Sequence, residues 1–188
     1  MIRLKIVTAL FSVLLATSLQ AAQWQMLPQH SQLTYLASYE GQHVSGVFHL
    51  FTVTLDFDSQ QPQLGTLQVT VQTASADMNS SDVNNAIEGR QWFDAKQYPI
   101  ATFTSQKIHE QSPGHYVAQG ILSLKGVKKT VQVPFTWQAS GDKATMTGRI
   151  NLRRTDFNIG TGEWSSGKAI GLDVILSYDI RLQNGNAT

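Results

Sequence analysis

Cysteine is absent from all 188 residues, and that absence removes more chemistry than any other feature of the chain. Without thiols there is no disulfide, no thiolate zinc site, no iron–sulfur cluster and no cysteine nucleophile or lipid-modified N-terminal cysteine. Charge is scarce too: 14 Lys and Arg stand against 13 Asp and Glu, and charged residues make up 14% of the chain. A formal charge of +1 leaves no electrostatic footprint for nucleic acid. Yet 41% of the residues are apolar, too many for wholesale disorder and enough for one domain, or two small ones, with a sizeable core.

The N-terminus accounts for two of the basic residues. Arg3 and Lys5 precede an apolar stretch, Ile6 to Leu15, and then Ala16-Thr17-Ser18 and Gln20-Ala21-Ala22 follow. That is the layout of a secretory signal peptide cut after Ala21 or Ala22. Its apolar part is too short for a membrane span of about 20 residues, and no second apolar segment follows. Residues 1–22 are therefore expected to be removed, leaving 188 − 22 = 166 residues (23–188) with 12 basic and 13 acidic side chains, a balance of −1. The expected product is exported, soluble and without a transmembrane segment.

Period-two alternation dominates the remainder. Val131, Val133, Phe135 and Trp137 oppose Thr130, Gln132, Thr136 and Gln138, and Leu172, Val174, Leu176, Tyr178, Ile180 and Leu182 form the longest apolar series. Lys143 to Leu152 and the segments around Leu33, Val53 and Val69 behave alike, so each reads as a strand with one dry and one wet face. Turn residues at Gly126, at Ser140-Gly141-Asp142 and at Pro113-Gly114 join them into an antiparallel meander of about eight strands. A sandwich and a closed barrel both bury such faces, and long neighbouring strands favour the barrel, which has no edges. One segment breaks the pattern: Ser81 can cap a short helix with Val83, Ala86 and Ile87 on one side, fading near Gly89, as a lid or plug.

Catalytic groupings are missing. His30, His43, His49, His109 and His115 form no metal-ligand spacing and read as surface histidines; no Gly-x-Ser-x-Gly elbow exists. Lys125, Lys128 and Lys129 read as a solvated hairpin tip. The aromatics Phe48, Trp92, Phe93, Phe103, Phe135, Trp137, Phe157 and Trp164 say more, several lying on apolar strand faces. They fit a filled core, or the lining of a cavity, since an eight-stranded barrel is just wide enough for one small ligand. No polar anchor deep in the interior is evident, so any ligand would be mainly apolar.

Four stretches carry a family resemblance. They are Ser45-Gly46-Val47-Phe48; Trp92-Phe93-Asp94 with Tyr98-Pro99-Ile100-Ala101-Thr102-Phe103-Thr104-Ser105; Gly120 to Val131; and Arg154-Thr155-Asp156-Phe157-Asn158-Ile159-Gly160 with Gly162-Glu163-Trp164. In this order they resemble the YceI-like family of bacterial polyisoprenoid-binding periplasmic proteins, with one departure, Asn158 where a glycine often follows the Asp-Phe pair. The resemblance implies an all-β, extended eight-stranded antiparallel, lipocalin-like barrel around a long hydrophobic pocket. Phe48, Trp92, Phe93, Phe103 and Phe157 lie in matching motifs and are its pocket candidates, whereas Phe135, Trp137 and Trp164 rest on strand parity or on one branch of the family.

The expectation is thus a non-enzymatic periplasmic carrier of a polyisoprenoid, an isoprenoid quinone or a related lipid. No cofactor and no metal are expected, and partners are the lipid itself and a second copy of the chain in a homodimer. Head-group contacts are expected at the mouth, around Trp92, Trp164 and nearby Asn or Gln. The rival readings are a stress-protection or interaction protein with a solidly packed barrel, and an enzyme acting on an enclosed lipid, for which no buried polar cluster is evident.

Overall fold

The computed structural model describes residues 22–185, so the expected signal peptide lies, apart from Ala22, outside the described residues. Alternating sequence becomes strand throughout: β1 (Gln23–Met26), β2 (Gln32–Tyr39), β3 (Gln42–Phe48), β4 (Phe51–Asp56), β5 (Thr66–Gln72), β6 (Ala76–Asp77), β7 (Ile100–Ser112), β8 (His115–Leu124), β9 (Val127–Ser140), β10 (Lys143–Arg153) and β11 (Asp173–Asn184). All pairings are antiparallel, and the sheet closes because β1 pairs with both β4 and β11. Three strands are each broken once, β1–β2 at residues 27–31, β3–β4 at 49–50 and β5–β6 at 73–75. Counted as single strands, they give the expected closed eight-stranded barrel, and the closure through β1 rules out the sandwich.

The three breaks lie side by side, and hydroxyls fill the interrupted ladders. Ser31 Oγ accepts from Arg181 N at 3.0 Å and donates to Leu27 O at 2.9 Å. Ser75 supplies its carbonyl to His49 N and its hydroxyl to Leu50 N, both at 3.1 Å. The buried Thr73 receives the next loop, its N bonding Pro99 O at 2.9 Å and its hydroxyl Tyr98 O at 2.8 Å.

The ladder between β9 and β10 is incomplete as well. It runs from Ser140 opposite Lys143 to Thr136 opposite Thr147 and stops short of Pro134, which has no N–H to offer. The Pro134 carbonyl instead accepts the phenol of Tyr178 on β11. Gly148, directly across from Tyr178, makes this reach feasible: a Cβ there would lie 2.3 Å from Pro134 O and 2.7 Å from Tyr178 Cε2. Burial pushes the Tyr178 phenol up, so it remains a donor at all ordinary pH.

One end of the barrel is solid. Phe57 stands edge-on to Tyr116 at 5.0 Å, to Trp137 at 5.1 Å and to Phe135 at 5.7 Å, while Trp24 meets Trp137 at 5.1 Å. Such offsets align ring edges with ring faces, and Trp24 Nε1 finds the Phe57 carbonyl at 3.1 Å. The opposite end carries the β2–β3 and β8–β9 turns, helix α1 (Ser81–Glu88) and the loops 89–99 and 154–172.

Helix α1 buries none of its residues, so packing alone does not hold it. Its cap is Ser80, one residue before the expected Ser81, because Ser80 has extended backbone and its hydroxyl accepts from Val83 N. Asp77 fixes the helix to β6: Oδ1 accepts from Asn79 N at 2.8 Å and from Asn84 Nδ2 at 2.9 Å, and Oδ2 lies 3.0 Å from His49 Nε2. Asn84 Oδ1 in turn accepts from Met78 N at 2.8 Å. His49 is exposed, as expected of a surface histidine, and also pairs with Asp77.

Gly148→Ala should lower unfolding free energy by about 1–3 kcal/mol in urea melts, since the methyl group meets backbone on one side and the Tyr178 ring on the other. The His49 contact and the donors on Asp77 hold its carboxyl down at about 2, from an ordinary 3.8. The unfolded chain thus binds the proton first on acidification. Asp77 contributes its full stabilisation above pH about 4 and loses it as pH falls through about 2. Asp77→Asn should flatten the urea midpoint over that window, and an unchanged acid limb would refute the assignment.

Candidate functional site

Toward the open end, the inward face of the barrel no longer fills its own interior. A cavity of about 550 Å³ lies between β2, β3, α1 and the two long loops, and a narrower extension of about 100 Å³ runs toward the packed end. Leu33, Val71, Ala101, Leu122, Leu152 and Leu176 border both, so the two form one tapering channel. Its size falls within the usual range of ligand sites, roughly 300–1,000 Å³. The row of strand breaks marks the change of level on one side. Tyr35, Val44, Phe48 and Met78 line the wide part, and Phe51, Val53, Leu67 and Val69 the narrow part.

Of the residues singled out in the sequence, Phe48, Trp92, Phe93, Phe157 and Trp164 meet at the wide cavity, and Phe103 lines the narrow one. Phe135 and Trp137 line neither and correct the strand-parity reading. Parity places a side chain inside the barrel but not at which height, and these two belong to the packed end.

The mouth is assembled by two cations that bind carbonyls. Arg154, at the end of β10, is 4% exposed. Its Nε donates to Gly171 O at 2.8 Å, Nη1 to Ile159 O and Gly160 O at 2.9 and 3.0 Å, and Nη2 to Ile170 O at 2.7 Å and to Trp164 O. All five N–H groups are thereby used, with the guanidinium 5.4 Å from the Trp92 ring centre. No carboxylate among the described residues pairs with it. Burial lowers its pKa, but a guanidinium stays charged.

Lys125 joins the other loops, donating to Arg90 O at 2.8 Å and Asn158 O at 2.7 Å, and burial lowers its pKa against the opposing pull of Asp94. It is thus not part of a solvated tip, whereas Lys129 is, in an exposed pair with Asp156 at 3.3 Å. Asn158 adopts φ 56° and ψ 28°, the left-handed region that asparagine tolerates best after glycine, so this position suits either residue.

Gln91 stitches the loops together. Its carbonyl accepts from Gly160 N and Thr161 N at 2.8 and 3.0 Å, and its side-chain oxygen accepts from Trp164 Nε1 at 3.3 Å. Trp92 and Trp164 stand 6.0 Å apart. Of the polar groups expected to greet a ligand at the mouth, the Trp164 indole N–H and the Gln91 side-chain oxygen are therefore occupied with each other.

Among the described residues, two charged side chains touch the wide cavity, the saturated Arg154 and Asp82 at the exposed rim. Deeper in, the Tyr35 hydroxyl is buried without a hydrogen-bond partner. Leaving such a group unsatisfied costs about 1–3 kcal/mol. The alternation Leu33-Tyr35-Ala37 marks this strand face in sequence, but nothing in it distinguishes Tyr35 from a core tyrosine. Arg154 is legible only as part of a motif, because its carbonyl partners are supplied by the folded loop.

Comparison with known proteins agrees with this construction. The family model described as YceI-like domain matches residues 24–182. A UPF0312 protein of Shewanella oneidensis is 26% identical over 154 residues, 78% of this chain and 81% of that protein. The crystal structure of BcnA from Burkholderia cenocepacia superposes with a TM-score of 0.81 at 31% identity, covering 83% of this chain and 98% of that one. A polyisoprenoid binding domain from Saccharophagus degradans, implicated in plant cell wall breakdown, shares the fold with a TM-score of 0.68 at 13% identity, over 88% of this chain and 99% of that domain. With the match running from the first strand to the last, the chain belongs to the YceI-like family.

Proposed function

We propose that this protein is a non-enzymatic container for a long apolar chain, a polyisoprenoid or the tail of an isoprenoid quinone, which it sequesters or carries in the periplasm. The observation that carries the reading is the tapering channel, about 550 Å³ at its wide end and walled almost wholly by aliphatic and aromatic side chains. The polyisoprenoid-binding description of the Saccharophagus degradans relative supports the same ligand class. Export rests on the layout of residues 1–22.

Burial is the mechanism. Each chain methylene taken from water contributes about 0.8 kcal/mol, less the cost of ordering the chain, so a prenyl tail needs no salt bridge to bind. The saturated Arg154 at the mouth suits this role, since it holds its loop in place with every N–H group already used. A solidly packed barrel would leave no channel of this size for a chain.

Solvent extraction and mass spectrometry of protein purified from periplasm should release a prenyl lipid. Adding a prenyl probe at about a hundred times its Kd should raise the thermal midpoint by roughly 5–10 °C. Empty protein together with an unmoved midpoint would refute the container reading. Arg154→Lys retains the charge but not the planar fork, leaving loop carbonyls unpaired. It should lower stability by about 2–4 kcal/mol and red-shift the fluorescence of Trp92 and Trp164 as the mouth takes up water. Wild-type emission and stability would show the loop to be held by other means.

A further inference from the structure

Among the described residues, the channel wall contains one fully buried side-chain donor without a partner, and its surroundings discriminate among head groups. Tyr35 extends from β2 over Gly46, its partner on β3. A Cβ on Gly46 would lie 2.4 Å from the phenol oxygen and 2.7 Å from the Met78 sulfur, so the glycine creates the space the hydroxyl occupies and Met78 closes it. Buried polar atoms in native proteins almost always have partners, and an orphan hydroxyl on a cavity wall marks the place where a bound molecule completes the set. Met78 lines the same stretch of wall and has the torsional freedom to yield to a ligand oxygen.

Neighbouring groups do not compete for this donor. The Thr73 hydroxyl is bonded to Tyr98 O, Arg154 has no free N–H, and Asp82 sits at the rim. Burial, and then the negative charge of Asp77, push the Tyr35 phenol up and keep it protonated. The same charge makes the position unfavourable for an anion.

We propose that Tyr35 is the head-group anchor of the channel, donating its hydroxyl to a neutral acceptor oxygen on a prenyl-chain ligand, a quinone carbonyl or a polyprenyl alcohol, rather than to a phosphate ester. This rests on the container reading above. It places recognition within the barrel, below the ring of Trp92 and Trp164 at the mouth.

The test is a set of titrations on wild type and Tyr35→Phe with four probes: a short-tailed ubiquinone, geranylgeraniol, geranylgeranyl phosphate and a hydrocarbon of matching length. Wild type should bind one of the neutral oxygen-bearing probes about tenfold more tightly than the hydrocarbon, and the phosphate no more tightly than the alcohol. Which neutral probe leads distinguishes a carbonyl from a hydroxyl as the partner. Tyr35→Phe should erase the preference while leaving hydrocarbon affinity and the ligand-free thermal midpoint unchanged or slightly raised.

Infrared spectra give a second measure that does not require the variant to fold: the carbonyl stretch of ubiquinone bound to wild type should fall below its position in hydrocarbon solvent. A preference that survives Tyr35→Phe, a phosphate that binds best, or, where ubiquinone is the preferred probe, an unshifted carbonyl would overturn the anchor and leave the container standing. If wild type takes up none of the probes, both readings fall.

Discussion

A single buried guanidinium organises the open end of this barrel. Arg154 binds five carbonyl oxygens of the loop that returns from β10 to β11, a loop whose strand pairing is limited to the isolated Tyr39–Ile170 bridge. Backbone carbonyls held away from water need donors, and one planar fork supplies them together. Its position determines where Trp164 and Ile159 stand, and hence how the cavity is bounded. Carbonyl dipoles take the place of a carboxylate, so the charge is solvated by the loop it holds. Lys125 repeats the device on a smaller scale at the neighbouring loops.

The barrel is asymmetric for a related reason. At one end five aromatic rings fill the interior. At the other, three adjacent strands break at one level and are mended by serine and threonine hydroxyls. Breaking the strands lets the upper wall change course, and side chains that would otherwise meet across the barrel no longer do so. A cavity results where regular strands are prevented from packing completely and helix α1 and the two long loops close over them.

Polar groups in the interior follow the same economy. Tyr178 and Tyr35 sit on neighbouring strands, each facing a glycine across the ladder, and burial pushes both phenols up. Tyr178 passes Gly148 to satisfy the Pro134 carbonyl that the interrupted ladder leaves free. Tyr35 passes Gly46 and finds only Met78. The two positions share local design and differ in whether the fold provides an acceptor.

Much of this was legible in the residues alone. Alternation with period two specifies which side chains face inward, because successive strand residues point to opposite faces whatever the strand's neighbours. Closure, the short helix and the ordered motifs could be anticipated on the same basis, as could Phe48, Trp92, Phe93, Phe103 and Phe157 as interior residues. Height along the barrel could not be, since it depends on register between strands distant in sequence; that is why Phe135 and Trp137 proved to belong to the packed end. Nor could the partners of Arg154, Lys125, Asp77 and Tyr35, for a hydrogen bond is a matter of where a carbonyl or hydroxyl comes to rest in space. Residue order determined that this chain would form a barrel with an apolar interior, and tertiary structure decided which part of that interior would be filled and which left open.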